Sequence, residues 1–353
     1  MSLLVRVAAL LLAVFLPVAA FAESVVIRIG FAEVGVGGRQ FGTQGGASVA
    51  HARTLLEKEF AGEDVTVQWV FFRGAGPAVN EAIAAGQLDL ALQGDLPAIV
   101  GRANGLKTKL LMGSGVRNNI YLAVRPDAPI TGIDDLKGRK VAQFRGTNLQ
   151  LAADRVLAAH HLTERDIRFL SMDFEAAVAA LRSGDIDATF GQADLFALQD
   201  QGLAKVVYST RGDDPTFTRH SHVLVTEAFE TAHPELVQRV VTTFVKAADW
   251  ASDENNRKEL FEIWALSGRP VAGFEHDYEG QTLAYRQSPL IDPFLIESYA
   301  SKIQQAKDYR LLRGNASVEG WFEPKYLNTA LKQLGLERRW TPLDAAGKPV
   351  ATN

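Results

Sequence analysis

Residues 77–97, PAVNEAIAAGQLDLALQGDLP, contain a helix, a glycine stop, a short strand and a polar loop in one run. Val79, Ala82, Ile83 and Ala84 have helical spacing, Gly86 is placed to end the helix, and Leu88, Leu90 and Leu92 alternate as in a strand. The strand opens onto Gln93, Gly94 and Asp95. The same plan returns at residues 176–195, AAVAALRSGDIDATFGQADL, where Gly184 matches Gly86, Asp187 matches Asp89 and Ile186 matches Leu88. An apolar helix feeding a buried strand with small and polar residues at its C-terminal end is the α/β arrangement in which ligands sit beyond the strand ends. Two such units predict two similar lobes, closing on a small ligand in the cleft between them.

Residues 1–22 hold one basic residue, Arg6, then an apolar run ending in Ala20-Phe21-Ala22. This is the pattern of a signal peptide with an A-x-A cleavage site, so export to the periplasm and removal of residues 1–22 are expected. Losing Arg6 takes the formal net charge from -4 to -5. The chain has no cysteine, which excludes a lipid-modified N-terminal cysteine, disulfides and thiolate metal sites. At 47% hydrophobic and 22% charged residues the composition is that of an ordinary soluble protein. No later apolar run reaches the roughly 20 residues of a membrane span, and no dense Lys/Arg stripe suggests nucleic acid. Nothing calls for a cofactor, a metal or an oligomer, and a monomer is expected.

Residues 25–31, VVIRIGF, read as a central strand because nearly all are apolar. The loop that follows, G-G-x-x-F-G-x-x-G-G over 37–46, lacks the compact G-x-G-x-x-G of a dinucleotide site. Its backbone, with Phe41 and Gln44, is instead expected to approach a ligand before a helix over 47–60, unless it is simply a long surface loop. The lobes are expected at 23–125 plus 216–340, the discontinuous first lobe with its C-terminal helices, and at 126–215, the second lobe. The proline-bearing segments 125–129 and 211–215 are candidate hinges, and 341–353 reads as a surface tail.

In the second lobe the strand KVAQF, 140–144, leads into Arg145-Gly146-Thr147-Asn148 and a helix from Leu149 to about His160. Thr147 or Asn148 can cap that helix, whose N-terminus offers about half a unit of positive charge. Arg145 beside it can add a forked donor, and together they suit an oxyanion such as sulfonate, sulfate, nitrate or carboxylate. The alternative is that the cap serves only its own helix and Arg145 faces water.

The run Ile130 to Ala142, ITGIDDLKGRKVA, followed by Arg145-Gly146-Thr147-Asn148, resembles the solute-binding proteins of ABC importers for aliphatic sulfonates, taurine and nitrate. Residues 76–97 match that family's first-lobe pattern G-P-x-x-x-x-A-[IL]-x-x-G-x-[IL]-D-[FL]-x-x-x-G-[ED]-x-P, and 182–188 match its second-lobe x-x-G-x-[IL]-D-A. The likeness extends over about residues 25–340. It implies an α/β, type II-like periplasmic binding protein with its ligand in the inter-lobe cleft, delivering a small organic or inorganic anion to an inner-membrane ABC permease. Two departures bear on the ligand. Asp95 stands where glutamate is common, and Gly191-Gln192-Ala193-Asp194-Leu195-Phe196 lacks the W-D-P-[FY] of many sulfonate binders, which leaves more room or removes a stacking surface.

The expected ligand contacts are Gly94 and Asp95 on the first lobe, Arg145, Thr147 and Asn148 on the second, Gln192 opposite, Gln44 from the glycine-rich loop, and Phe41 packing on an apolar tail if one is present. Arg219 and Ser221 in the return segment, and Tyr285 and Arg286 further on, are implied by the resemblance as wall residues. Asp95 has three open roles: accepting N–H groups, holding an arginine such as Arg117, or binding the amino group of a taurine-like solute. Two other classes stand against this reading. A receptor for a neutral aromatic or vitamin-like precursor is favoured by Phe41, Trp69, Phe71 and Phe72 and opposed by Arg145. An exported enzyme lacks support, because Ser221 between His220 and His222 shows no strand-to-helix elbow. The pyrimidine-precursor synthases that this fold resembles use cysteine and histidine chemistry that a cysteine-free chain cannot reproduce.

Overall fold

The computed structural model describes residues 24–350, so the signal-peptide segment 1–22 lies outside the described residues. In chain order the strands are β1 (Val25–Phe31), β2 (Val65–Phe71), β3 (Leu90–Gly94), β4 (Thr108–Gly113), β5 (Tyr121–Val124), β6 (Lys140–Gln143), β7 (Arg168–Ser171), β8 (Ala188–Gly191), β9 (Lys205–Ser209) and β10 (Ser221–Thr226). They form two five-stranded sheets, ordered β2-β1-β3-β10-β4 and β7-β6-β8-β5-β9. In each, three parallel strands are joined by an antiparallel fourth, β10 or β5, which is the first strand laid down after the chain crosses between lobes. The two sheets therefore share one plan, as the repeated sequence predicts.

The repeated residues have matching structural jobs. Gly86 and Gly184 sit at φ 67° and 83°, a left-handed conformation that glycine adopts without a Cβ clash, just beyond helices Ala75–Ala84 and Phe174–Ser183. The Asp89 carboxylate accepts the backbone N–H of Arg28 at 2.8 Å, and that of Asp187 accepts the N–H of Lys140 at 2.8 Å. The backbone N–H groups of Asp89 and Asp187 in turn donate to the carbonyls of Arg28 and Lys140, each at 2.9 Å. Each aspartate thus adds one rung where a parallel pair begins, which helps to fix its register.

β1 is interior, with Ile27, Ile29 and Phe31 fully buried against the apolar face of helix Pro234–Ala251, including Val237, Val240, Val241 and Phe244. The second core gathers Leu122, Val141, Leu149, Val156, Leu157 and Phe190.

Several expectations are corrected. β5 lies in the second sheet, buried along its length between β8 and β9, so the first crossover precedes it and Pro126 falls inside the second lobe rather than at a hinge. The two crossing segments pair with each other: Asn118 N–H donates to the Arg219 carbonyl at 2.8 Å and Arg219 N–H to that of Asn118 at 2.9 Å. The helix expected over 47–60 is two, Gly45–Ala52 and Leu55–Glu59, broken where Thr54 turns left-handed at φ 50°. The polar loop after β3 is the start of helix Asp95–Ala103, whose Pro97 sits in the first turn, where no helical N–H partner is lost. The described part of the tail, 341–350, packs on the first lobe at Leu343, which is buried and whose N–H donates to Asp292 at 3.1 Å, just after Trp340, whose indole donates to Ser252 Oγ at 2.9 Å.

If the repeated aspartates act only on register, Asp187→Ala should lower unfolding stability by about 1 kcal/mol and leave solute affinity unchanged. Urea unfolding and calorimetric titration of the same sample check both parts; an unaltered unfolding midpoint would remove the aspartate from the framework.

Candidate ligand site in the inter-lobe cleft

Between the sheets, at their strand ends, lies a cavity of about 100 Å³. Five helices begin at its wall: Gly45–Ala52 behind Gln44, Ala75–Ala84 at Ala75 and Gly76, Asp95–Ala103 behind Gly94, Asn148–Ala159 behind Thr147, and Asp194–Asp200 behind Ala193. None has a side-chain hydrogen bond at its N-cap. Their partial positive ends converge on one small volume. Gly94 makes the approach possible, since a Cβ there would lie 2.4 Å from the Asn148 amide.

Arg219 supplies the formal charge. It is 7% exposed, and its guanidinium reaches only neutral oxygens: Asn148 Oδ1 at 3.2 Å, the Asn119 carbonyl at 3.3 Å and Gln192 Oε1 at 3.3 Å. Its Nε has no partner. Burial pulls its pKa below the ordinary arginine value, yet arginine remains charged in proteins. The other two cavity arginines are neutralised. Arg286 pairs with Asp277 at 2.9 Å, and Arg269 pairs with Glu33 at 3.4 Å. Asp277 also accepts the Tyr121 hydroxyl, and Glu33 the Thr43 hydroxyl at 3.2 Å. The cavity therefore keeps one uncompensated positive charge.

Of the residues expected at the site, Gln44, Gly94, Thr147, Asn148, Gln192, Arg219, Ser221 and Arg286 line this cavity. Five do not. Phe41 is buried against His51, ring centroids 5.4 Å apart, within the first lobe. Asp95 is sealed beneath the floor, where its carboxylate takes Lys302 Nζ at 2.6 Å and the His220 N–H at 2.9 Å, so its partner is a lysine rather than Arg117 or a ligand amine. Arg117, left-handed at φ 54°, turns away to the Tyr285 carbonyl at 2.8 Å, and Tyr285 is used there through its backbone and its ring. The Arg145 side chain is 61% exposed, 3.8 Å from Glu164 and over the Phe169 ring. Gly146, at φ 75°, turns the chain between them, so that Thr147 faces the cleft and Arg145 faces water.

Behind that turn, Gln150 accepts the Gly146 N–H at 2.7 Å, and the Gln143 and Gln150 amides donate to Glu164 at 3.0 and 2.7 Å. Gln143 also donates to Asp154 at 3.1 Å. Burial, and then the neighbouring Glu164 charge, push the Asp154 carboxyl up to about 8. Beneath the floor His220 Nδ1 accepts the Arg117 N–H at 3.1 Å, which puts the ring proton on Nε2, toward Ser298 Oγ at 3.0 Å. Burial holds this imidazole well below its usual pKa, so it is neutral.

The sequence reading missed Glu33, Thr43, Asn118, Asn119, Trp264, Arg269, Asp277 and Tyr278, all on the cavity wall. Asn118-Asn119, a polar pair directly before the buried run of β5, carried a signal at the true crossover. Asp277 ends the short helix Val271–Asp277 and Arg269 lies in the loop before it, stretches of no distinctive pattern that carried none.

Paired sheets of this topology, a crossed floor and a polar cleft define a two-lobed periplasmic binding protein of the type II kind. A family profile described as NMT1/THI5 like matches residues 57–258. The chain is 31% identical over 338 residues, 94% of each chain, to the Escherichia coli (strain K12) protein named "Putative aliphatic sulfonates-binding protein". Among solved structures it resembles the periplasmic sulfonate-binding protein SsuA from Methylobacillus flagellatus KT, with 29% identity, TM-score 0.77, and 92% of this chain and 99% of that chain covered. It also resembles the alkanesulfonate-binding protein SsuA from Xanthomonas axonopodis pv. citri bound to MOPS, with 25% identity, TM-score 0.72, and 86% and 99% covered. The chain belongs to the family of periplasmic solute-binding proteins of ABC importers related to sulfonate- and nitrate-binding proteins. Its members are non-catalytic, and its partners are a small anionic solute and an ABC permease.

The raised Asp154 pKa has a definite sign. Between the unfolded carboxyl value of about 3.9 and about 8 the folded state holds a proton that the unfolded chain has released. Stability should therefore fall as pH rises through this window, and level off above it. Asp154→Asn should remove that contribution. Urea unfolding of both proteins from pH 4 to 9 measures the difference, and parallel profiles would contradict it.

Proposed function

We propose that the protein captures an organic sulfonate or sulfate ester, whose head group sits against Arg219 and is delivered to the permease on cleft closure. One observation carries this reading: a buried arginine without a carboxylate partner faces a small cavity at which five helices begin. The inner cavity, of about 100 Å³, gives a compact oxyanion head group a place directly against Arg219. A tetrahedral head group also presents three oxygens, matched to donors arriving from both lobes and from the crossover. The names of the related proteins support a sulfonate in particular.

Arg219 takes the anchoring role expected of Arg145. Arg219→Ala should weaken binding of a simple alkanesulfonate by about 2–5 kcal/mol, which is about 30-fold to several thousand-fold. Arg219→Lys should recover part of this, because the ammonium keeps the charge and loses the fork. Arg145→Ala, at an exposed pair, should change affinity by less than about 0.5 kcal/mol. Calorimetric titration with ethanesulfonate, sulfate, nitrate and a neutral flavin decides the matter. Folded Arg219→Ala with unchanged sulfonate affinity, or tighter binding of the flavin, would overturn the proposal.

A further inference from the structure

Beyond the cleft cavity lies a second one of about 790 Å³, and four residues, Glu33, Ala75, Phe174 and Arg269, line both. The inner cavity is walled largely by amides, hydroxyls and charged groups. The outer one carries Val34, Val36, Val178, Ala197, Leu198 and Pro270. Its charged rim is paired across the lobes. Arg73 of the first lobe lies 3.2 Å from Glu175 and 3.8 Å from Asp173 of the second, and the Gly37 N–H donates to Glu175 at 2.6 Å. At the neck, Glu33 is taken by Arg269, and deeper in, Asp277 is taken by Arg286. Glu33 at the neck and Asp277 further in, the two carboxylates nearest the head group, are thus committed to arginines, and those of the outer rim, Asp173 and Glu175, face Arg73.

We infer that the outer cavity receives the apolar tail of the solute, so that the preferred ligand is a sulfonate or sulfate monoester with a bulky alkyl or aryl tail rather than a small or zwitterionic sulfonate. The inference rests on the oxyanion reading of the inner cavity. A head group against Arg219 fills the small inner volume, and the rest of the molecule must leave through the neck at Phe174 and Ala75. Beyond that neck each methylene moved from water onto apolar wall strengthens binding by up to about fourfold. Room for it comes from small side chains: Ala193 lines the inner cavity, and Ala197, one helical turn on along Asp194–Asp200, lines the outer one. Large residues at these two positions would close the passage.

The test is a calorimetric series on the full mature protein with methanesulfonate, ethanesulfonate, taurine, butanesulfonate, octanesulfonate below its micellar concentration, and naphthalenesulfonate. Octanesulfonate and naphthalenesulfonate should bind at least about 30-fold tighter than methanesulfonate, and taurine weaker than ethanesulfonate. Ala197→Trp, outside the inner cavity, should remove at least about tenfold of the long-tail advantage and leave methanesulfonate affinity unchanged. If that variant does not fold, Val178→Asp, on the half-buried face of helix Phe174–Ser183, gives the same readout. A flat tail series that still depends on Arg219 would overturn this inference and leave the oxyanion reading standing. Binding insensitive to Arg219→Ala would overturn that reading itself. Long-tail preference that survives a folded Ala197→Trp or Val178→Asp would place the tail elsewhere and overturn the assignment.

Discussion

A guanidinium taken out of water without a carboxylate beside it costs several kcal/mol, and this chain keeps Arg219 in that condition at the crossing of its two lobes. Three neutral oxygens at 3.2–3.3 Å and an unpartnered Nε do little to offset the cost. In the proposed function a solute oxyanion offsets it. Such a residue survives only if its backbone has no alternative position. The antiparallel bridge to Asn118 holds it from one side, and β10 begins two residues later.

The support extends one layer down. Asp95, which the sequence suggested as a ligand contact, accepts Lys302 Nζ and the His220 N–H, and Lys302 also donates to the Thr218 carbonyl at 3.1 Å. The residues on either side of Arg219 are thereby fixed to helix Pro293–Asp308 of the first lobe. Burial draws the Lys302 pKa down to about 8, while Asp95 pulls it upward. Removing either partner would strand a buried charge, at a cost of about 3–5 kcal/mol. A carboxylate that seemed electrostatically misplaced beside an anion is thus screened from it: it neutralises a lysine beneath the floor and does not face the cavity.

How far the sequence could be read follows from where the information resides. The repeated G-x-[LI]-D pattern is local, because register, helix stop and strand start are decided within a few residues, and both copies adopt the same geometry. β1, β6 and the helix from Asn148 were legible for the same reason. The lobe boundary was not. Pro126 is a conspicuous local signal, yet the crossover is set by the long-range pairing of β5 with β8 and β9, which no short window contains. Arg145 and Arg219 differ in a similar way. Arg145 follows a strand and precedes a helix, where side chains often meet ligands, but one glycine in the left-handed region turns it outward. Arg219 has an unremarkable neighbourhood in sequence and acquires its position from Asn118, a hundred residues away.

Under the proposed function, a charge placed on the crossover would couple binding to the relation between the lobes. Arg145 belongs wholly to the second lobe, and an anion held there would register only with that lobe. Arg219 touches Asn148 and Gln192 of the second lobe and the crossing segment at Asn119, while Ser221, which begins β10 of the first lobe, follows two residues later. An anion bound as proposed would compete with Asn148 and Gln192 for its N–H groups and would face helix N-termini of both lobes. A ligand shifts a two-state equilibrium only by its differential affinity for the two states. A contact that converges from both lobes exists only when they are together, whereas one confined to a single lobe is the same open or closed. The pairs of Arg73 with Asp173 and Glu175 also cross between the lobes, at the outer edge of the cleft, so in the proposed function the polar head and the rim depend on the same lobe arrangement.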